Sequence, residues 1–253
     1  MTATSDPAPG SAYRPATPWH PGPALLVAML ASFAPLVLWV LGPIAESMGI
    51  AAAPEPTSAE GLPPLSSPLM MAQMMLGQIL SFAVVWAAAG WKGARRSALQ
   101  LAAPQTGFAT AAGLGLMLVV LILPLEILFY RLAGIGLFSD SAWLLEGLRS
   151  PLWWGVVIIA VVLAPLWEEV TFRGFLLSAL AKTRLGFWPA AAISSLLWTF
   201  LHWGYTWPGL ASVFLAGIGL SWIMQRTGSL RAVIVAHGVI NAFSLTVIAL
   251  FAP

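Results

Sequence analysis

The sequence predicts an all-α, polytopic membrane helix bundle of about seven transmembrane helices. Only 8% of the 253 residues are charged, about a third of the share a water-soluble domain uses to cover its surface. Hydrophobic residues make up 59% of the chain and the mean hydropathy is +0.88. Stretches free of Asp, Glu, Lys and Arg run over 15–45, 61–91, 97–125, 150–167, 185–225 and 232–253; a helix needs about 20 apolar residues to cross a hydrocarbon core about 30 Å thick. A soluble enzyme, a disordered chain, a collagen-like fibre and a disulfide-stapled secreted domain are excluded. The absence of Cys removes thiol catalysis and Cys-ligated metal, and a net charge of +2 is too small to suggest nucleic acid.

Taken in order, residues 1–19 are rich in Pro, Ala, Ser and Thr and contain no apolar stretch, so they are expected to be a disordered tail and not a cleaved signal peptide. Residues 20–253 then form a single transmembrane domain. Spans are expected near 23–45, 67–91, 108–131, 151–181, 187–203, 208–225 and 229–251. The fifth and sixth are separated by the turn Gly204-Tyr205-Thr206-Trp207-Pro208-Gly209. Ser67-Pro68 and Ser150-Pro151 each place a hydroxyl at the N-cap and a proline at the first helical position. A short interfacial helix is expected near 140–148.

Orientation follows from loop charge. Lys92, Arg95 and Arg96 follow the second span, Lys182 and Arg184 the fourth, and Arg226 and Arg231 flank the turn after the sixth, whereas the loop after the first carries Glu46, Glu55 and Glu60. The N-terminus is therefore expected inside and the C-terminus outside. Trp153, Trp154, Trp203 and Trp207 fit an outer aromatic belt, and Trp91 and Trp188 an inner one. No internal repeat of the kind many transporters carry is evident.

Most polar or unusual residues have packing roles. Met70, Met71, Met74 and Met75 fill space; Gly113, Gly115, Gly217 and Gly219 let helices approach; His20 is interfacial; Glu126 and Arg131 snorkel at the outer end of the third span. The run Pro165-Leu166-Trp167-Glu168-Glu169-Val170-Thr171-Phe172-Arg173-Gly174 is different. Each charge at a helix centre costs about 2.5–3.5 kcal/mol on insertion scales. Glu169 and Arg173 are i,i+4 and can neutralise each other. Glu168 lies about 100° around the helix and needs a partner from elsewhere, a proton or water. Pro165 removes the donor for the Val161 carbonyl, placing a free acceptor one turn before Glu168. His202, and the i,i+4 pair His237 and Asn241, offer partners on two later spans.

One carboxylate poised as a base, two imidazoles and an amide donor form a set that activates water and holds an oxyanion. The same donors, Glu168, His202 and His237, are the ligands expected if the site holds Zn²⁺, and recruiting Glu169 as well would mean giving up Arg173; the favoured reading needs no cofactor. No HExxH helix, aspartate pair, Gly-x-Ser-x-Gly serine, Walker loop or dinucleotide fingerprint occurs.

At these residues the chain resembles the CPBP intramembrane proteases, also called the ABI or CAAX-protease family, which includes the Ras-converting CAAX endopeptidase. The family pattern is Glu-Glu-x-x-x-Arg, aromatic-x-x-x-His and His-x-x-x-Asn on three membrane helices; here it is Glu168-Glu169-x-x-x-Arg173, Trp198-x-x-x-His202 and His237-x-x-x-Asn241. The resemblance covers about 150–245, with Trp198 where the family usually has Phe. It implies an intramembrane endopeptidase. In it Glu168 and His202 would position and deprotonate water, His237 and Asn241 would stabilise the oxyanion, and Glu169 with Arg173 would orient the site. The implied partners are a membrane-associated protein or peptide substrate and the lipid bilayer, in a multi-pass protein of a bacterial inner membrane. A non-catalytic immunity or regulatory protein using the same cluster structurally is the alternative, followed by a proton-coupled carrier, since intramembrane Glu and His also mark proton relays.

Overall fold

Pro35 and Pro165 interrupt the helical hydrogen-bond pattern at two places that shape the bundle. The structure, a computed structural model, describes residues 13–48, 65–91, 93–101 and 107–253. Its helices are α1 (Pro21–Phe33), α2 (Leu36–Ser47), α3 (Pro68–Trp91), the short α4 (Arg95–Ala98) and α5 (Phe108–Ala133). A 3₁₀ turn, Ser139–Ser141, leads into α6 (Ala142–Leu148), followed by the composite α7 (Trp153–Ala181), α8 (Phe187–Phe200), α9 (Trp207–Thr227) and α10 (Leu230–Phe251). No strand occurs among the described residues. Six helices are long and apolar enough to cross a membrane, and α8 is a shorter apolar one, so the protein is a polytopic helical bundle. Glu55, Glu60 and Lys92 lie outside the described residues, as do residues 1–12 of the expected tail.

The first span is broken where the sequence suggested continuity. Pro35 has no N–H to donate, so the chain turns through the bonds Val37 N–H to Ala34 O (3.2 Å) and Leu38 N–H to Pro35 O (3.0 Å). The Pro35 ring fits against Gly77 of α3, where a Cβ would lie 2.9 Å from it. Ser67 caps α3 as expected, accepting from Met70 N–H at 3.5 Å. At the other predicted cap, Ser150 accepts from Leu152 N–H at 3.0 Å, but the chain turns through Pro151 before α7 starts at Trp153.

α7 is the central helix. More than half of its most apolar window (56%) is buried, against 17–44% for the other spans, and it packs on α1, α3, α8 and α10. It is not a uniform α-helix. Two π-helical stretches, Ile158–Leu163 and Val170–Leu176, flank the α-helical turn Ala164–Glu169. Around it α5 lies so close to α10 that a Cβ on Gly115 would fall 2.6 Å from the Ala236 carbonyl. Gly217 of α9 likewise leaves room for Ser195 and Arg173, whereas Gly113, expected in a helix contact, faces open space. Met70 and Met71 are buried, Met71 against Gly155, in line with their packing role. The exposed His20 stands at the N-cap of α1.

The composition-based tail is corrected at residues 13–19. Tyr13 is 2% exposed, donates its hydroxyl to Ser178 Oγ at 3.1 Å and sets its ring edge-on to Phe187. Burial pushes its phenol above the ordinary tyrosine range. Lys182 Nζ donates to the Thr17 carbonyl at 3.0 Å. Pro/Ala/Ser/Thr composition says nothing about one aromatic side chain with a ready-made slot, and Tyr13 anchors the segment. Leu230 N–H also donates to the Gln100 carbonyl at 3.1 Å, joining the basic loop after α3 to the turn between α9 and α10.

Candidate active site

Glu168 and Glu169 end the α-helical turn between the two π stretches and face different ways. Glu169 and Arg173 are both 0% exposed, and Arg173 Nη1 donates to Glu169 Oε1 at 2.9 Å, so the i,i+4 pair expected from spacing is formed. The same oxygen accepts from His237 Nδ1 at 2.8 Å. The Arg173 guanidinium stacks on the Trp198 ring, 4.3 Å from its centroid, which compensates part of the cost of burying it.

Glu168 finds its partner in Trp198. The indole Nε1–H donates to Glu168 Oε2 at 2.8 Å, and His237 Nε2 lies 4.0 Å from that oxygen. The sequence comparison treated Trp198 as an aromatic packing residue; what it could not contain is the direction of the indole N–H. The Trp198 ring stands edge-to-face to both His202 and His237, at 5.3 and 5.4 Å between centroids.

His202 was expected inside the fifth span, but α8 ends at Phe200 and His202 sits in the turn that follows. Its Nδ1 is 3.1 Å from the Trp198 carbonyl. A carbonyl oxygen only accepts, so the proton is on Nδ1 and Nε2 carries the lone pair. His237 is held in the same sense by the Glu169 carboxylate.

Asn241 shows why the π register matters. Its Nδ2 donates to the Ala160 carbonyl at 2.8 Å. In an i→i+4 helix the missing N–H of Pro165 orphans the Val161 carbonyl, as the sequence suggested; in the i→i+5 register of Ile158–Leu163 it orphans Ala160 instead. A buried carbonyl needs a donor, and Asn241 supplies it. The Val161 carbonyl lies against Gly238, where a Cβ would come within 2.9 Å.

Glu168, His202, His237 and Asn241 thus line one cavity of about 350 Å³, with Trp198 in its wall. Glu169 and Arg173 do not line it; they stand behind His237 and Trp198. Two further carboxylates missed by sequence reasoning reach the cavity, Glu126 of α5 and Asp140. Glu126 was expected to snorkel to the outer surface and instead faces inward, whereas Arg131 is exposed. Tyr205 completes the turn after α8 and stacks edge-on to His202 at 5.4 Å. Burial, together with the charges of Asp140, Glu168 and Glu126, pushes its phenol up to about 12, so it stays a neutral O–H group.

Glu169 Oε1 is already taken by Arg173 and His237. Among the described residues no three His, Cys, Asp or Glu side chains gather closely enough to hold an ion. Glu168, His202 and His237 as placed do not form the ligand shell that zinc takes.

Residues 150–243 match the model of a protein family described as type II CAAX prenyl endopeptidase Rce1-like. Over this stretch the chain is similar to that family. The stretch includes Glu168, Glu169, Arg173, Trp198, His202, His237 and Asn241, the residues on which the CAAX-protease resemblance rests. The chain is also 31% identical over 98 residues to UPF0177 protein YajF of Lactococcus lactis subsp. lactis (strain IL1403), an alignment covering 36% of this chain and 47% of that protein. The chain therefore spans about half the length of this curated relative. No solved structure matches it. The similarity to this family and the six long apolar helices point to an integral membrane protein.

Proposed function

We propose that this protein is an intramembrane endopeptidase that hydrolyses peptide bonds of a membrane-associated protein or peptide, with the attacking water activated by Glu168 and His202. One observation carries the reading: side chains from three separate helical segments turn their free atoms into one cavity, with the Glu168 carboxylate held there by the Trp198 N–H. The Trp198 bond occupies Glu168 Oε2 and leaves Oε1 to accept a proton from water. The Nε2 lone pair of His202 accepts the other hydrogen and aims the water oxygen at the carbonyl. As the carbon–oxygen bond forms, the second N–H of Asn241 donates to the oxyanion, and His237, its Nδ1–H kept on Glu169, does the same from Nε2 after taking up a second proton there from solvent. The carbon–nitrogen bond then breaks, and the proton held by Glu168 passes to the leaving amine.

Glu169 and Arg173 act by position. Their ion pair fixes the His237 tautomer, and the guanidinium holds the face of Trp198. No step is routed through a metal, because Glu169 Oε1 is engaged by Arg173 and His237 and no three His, Asp or Glu side chains among the described residues are grouped to hold an ion. We place the protein in a bacterial inner membrane with its basic loops inside. The test is cleavage by the purified protein in lipid nanodiscs, incubated with solubilised membrane proteins in heavy-oxygen water. New C-termini carrying one solvent oxygen are expected with the wild-type chain and not with Glu168→Gln. Labelled termini formed equally by Glu168→Gln would overturn the proposal, and so would the absence of new termini with the folded wild-type protein.

A further inference from the structure

Beyond Glu168, the cavity reaches Glu126 and Asp140, and no Lys or Arg lines it. The two added carboxylates are not equivalent. Asp140 has both oxygens engaged: Oδ1 accepts from Thr206 N–H at 2.9 Å, and Oδ2 accepts from Thr206 Oγ1–H at 2.8 Å and from the Tyr130 hydroxyl. It holds Thr206, the N-cap residue of α9, from outside that helix, and Gly209 is small enough to pass beneath it. Glu126 is half-buried, and neither a hydrogen bond nor an ion pair from the described residues engages it. A second, independent group points to a ligand in the same space. Ser212 is 8% exposed, lines the cavity, and its buried hydroxyl has no hydrogen-bond partner. A carboxylate in a membrane-spanning helix and a buried hydroxyl are both costly to leave unmatched.

Resting on the hydrolase reading for the word substrate, we propose that the Glu126 and Ser212 end of the cavity binds an ammonium or guanidinium group of the substrate, so that peptides carrying a cation beside the cleaved bond are preferred. The donors of such a group match Glu126 and Ser212 Oγ as acceptors, while the fixed charge of Asp140 adds attraction without needing a bond. The apolar wall of Ile122, Leu123, Val213 and Ala216 suits the methylene stem of a lysine. An organic cation fits better than a metal ion, since the Asp140 oxygens are occupied and no ion-holding cluster occurs among the described residues.

The test uses the full chain in nanodiscs and dansylcadaverine, whose primary ammonium ends a short alkyl chain, with its N-acetyl derivative as the neutral control. Binding is read by energy transfer from tryptophan. The ammonium form is expected to bind about tenfold tighter, the effect of one charge-assisted hydrogen bond. Glu126→Gln abolishes that ratio and Glu126→Asp, which keeps the charge, retains most of it; retention in the Asp variant shows that the position tolerates substitution. Equal binding of the two probes, or a ratio unchanged in Glu126→Gln, overturns the proposal. Competition by acetyl-Leu-Lys-Leu-amide against Leu-norleucine-Leu-amide with a free amino end then assigns the cation to a side chain or a terminus, and equal competition by the neutral acetyl-Leu-norleucine-Leu-amide also overturns it. Binding is read without turnover. A chain that binds the amine but never cleaves retains this site and loses the hydrolase reading, and one that cleaves with no Glu126-dependent preference does the reverse.

Discussion

Replacing Trp198 by Phe deletes one hydrogen bond and keeps an aromatic ring, at the cost of some packed volume at a buried site. The indole nitrogen lies 2.8 Å from Glu168 Oε2, and the His237 Nε2 nitrogen is 4.0 Å away, beyond hydrogen-bond range. A phenyl ring in the same place keeps edge-to-face contacts with His202 and His237 and a face for Arg173, now 4.3 Å from the indole centroid. A hydrogen bond to a charged group contributes about 1.5–3 kcal/mol. If that energy fixes the carboxylate for attack, its loss lowers kcat/KM by about 10- to 150-fold. The assay is cleavage of a substrate identified from new termini, with wild-type and variant proteins matched for amount in the membrane. A Trp198→Phe protein that accumulates normally and cleaves within about twofold of wild type would refute the reasoning, because Glu168 would then need no fixed partner.

The remaining predictions concern the shell of the site. Gly217→Val places carbon atoms 2.8 Å from Ser195 Cβ and 3.0 Å from Arg173 Nη2; overpacking of this kind costs about 1–3 kcal/mol, so Tm falls and activity falls with it, and an unchanged Tm contradicts the packing. Asn241→Leu leaves the Ala160 carbonyl without its donor, a loss of about 1–3 kcal/mol measurable by thermal or denaturant unfolding in detergent; equal stability would show that the π stretch satisfies itself. Chelation by phenanthroline is expected to leave the cleavage rate unchanged, whereas inactivation reversed by added zinc would overturn the metal-free route.

The sequence showed the bundle because charge is scarce, and it showed the heart of the site for the same reason. Glu168, Glu169 and Arg173 stand out where a charge is most costly, and i,i+4 spacing alone pairs Glu169 with Arg173. The role of Asn241 was only half legible. Pro165 announces an orphaned carbonyl, but whether it belongs to Val161 or Ala160 depends on a π register that no residue pattern declares. The partner of Glu168 was hidden for a different reason. Trp and Phe are equivalent as apolar rings, and the N–H that separates them acts only where the ring edge points at the carboxylate. Glu126 was misplaced because position along a helix gives depth and not facing, and Tyr13 because local composition carries no information about a slot formed by α7 and α8.

The most direct test of the central claim is the rate at which Glu168→Gln and His202→Ala cleave a substrate that the wild-type protein cleaves, in the same membranes and at equal protein levels. Loss of a positioned general base lowers the rate by about 10²–10⁴-fold, and the account predicts a loss of that size in Glu168→Gln with Tm close to wild type. Cleavage persisting at the wild-type rate in both variants would contradict it.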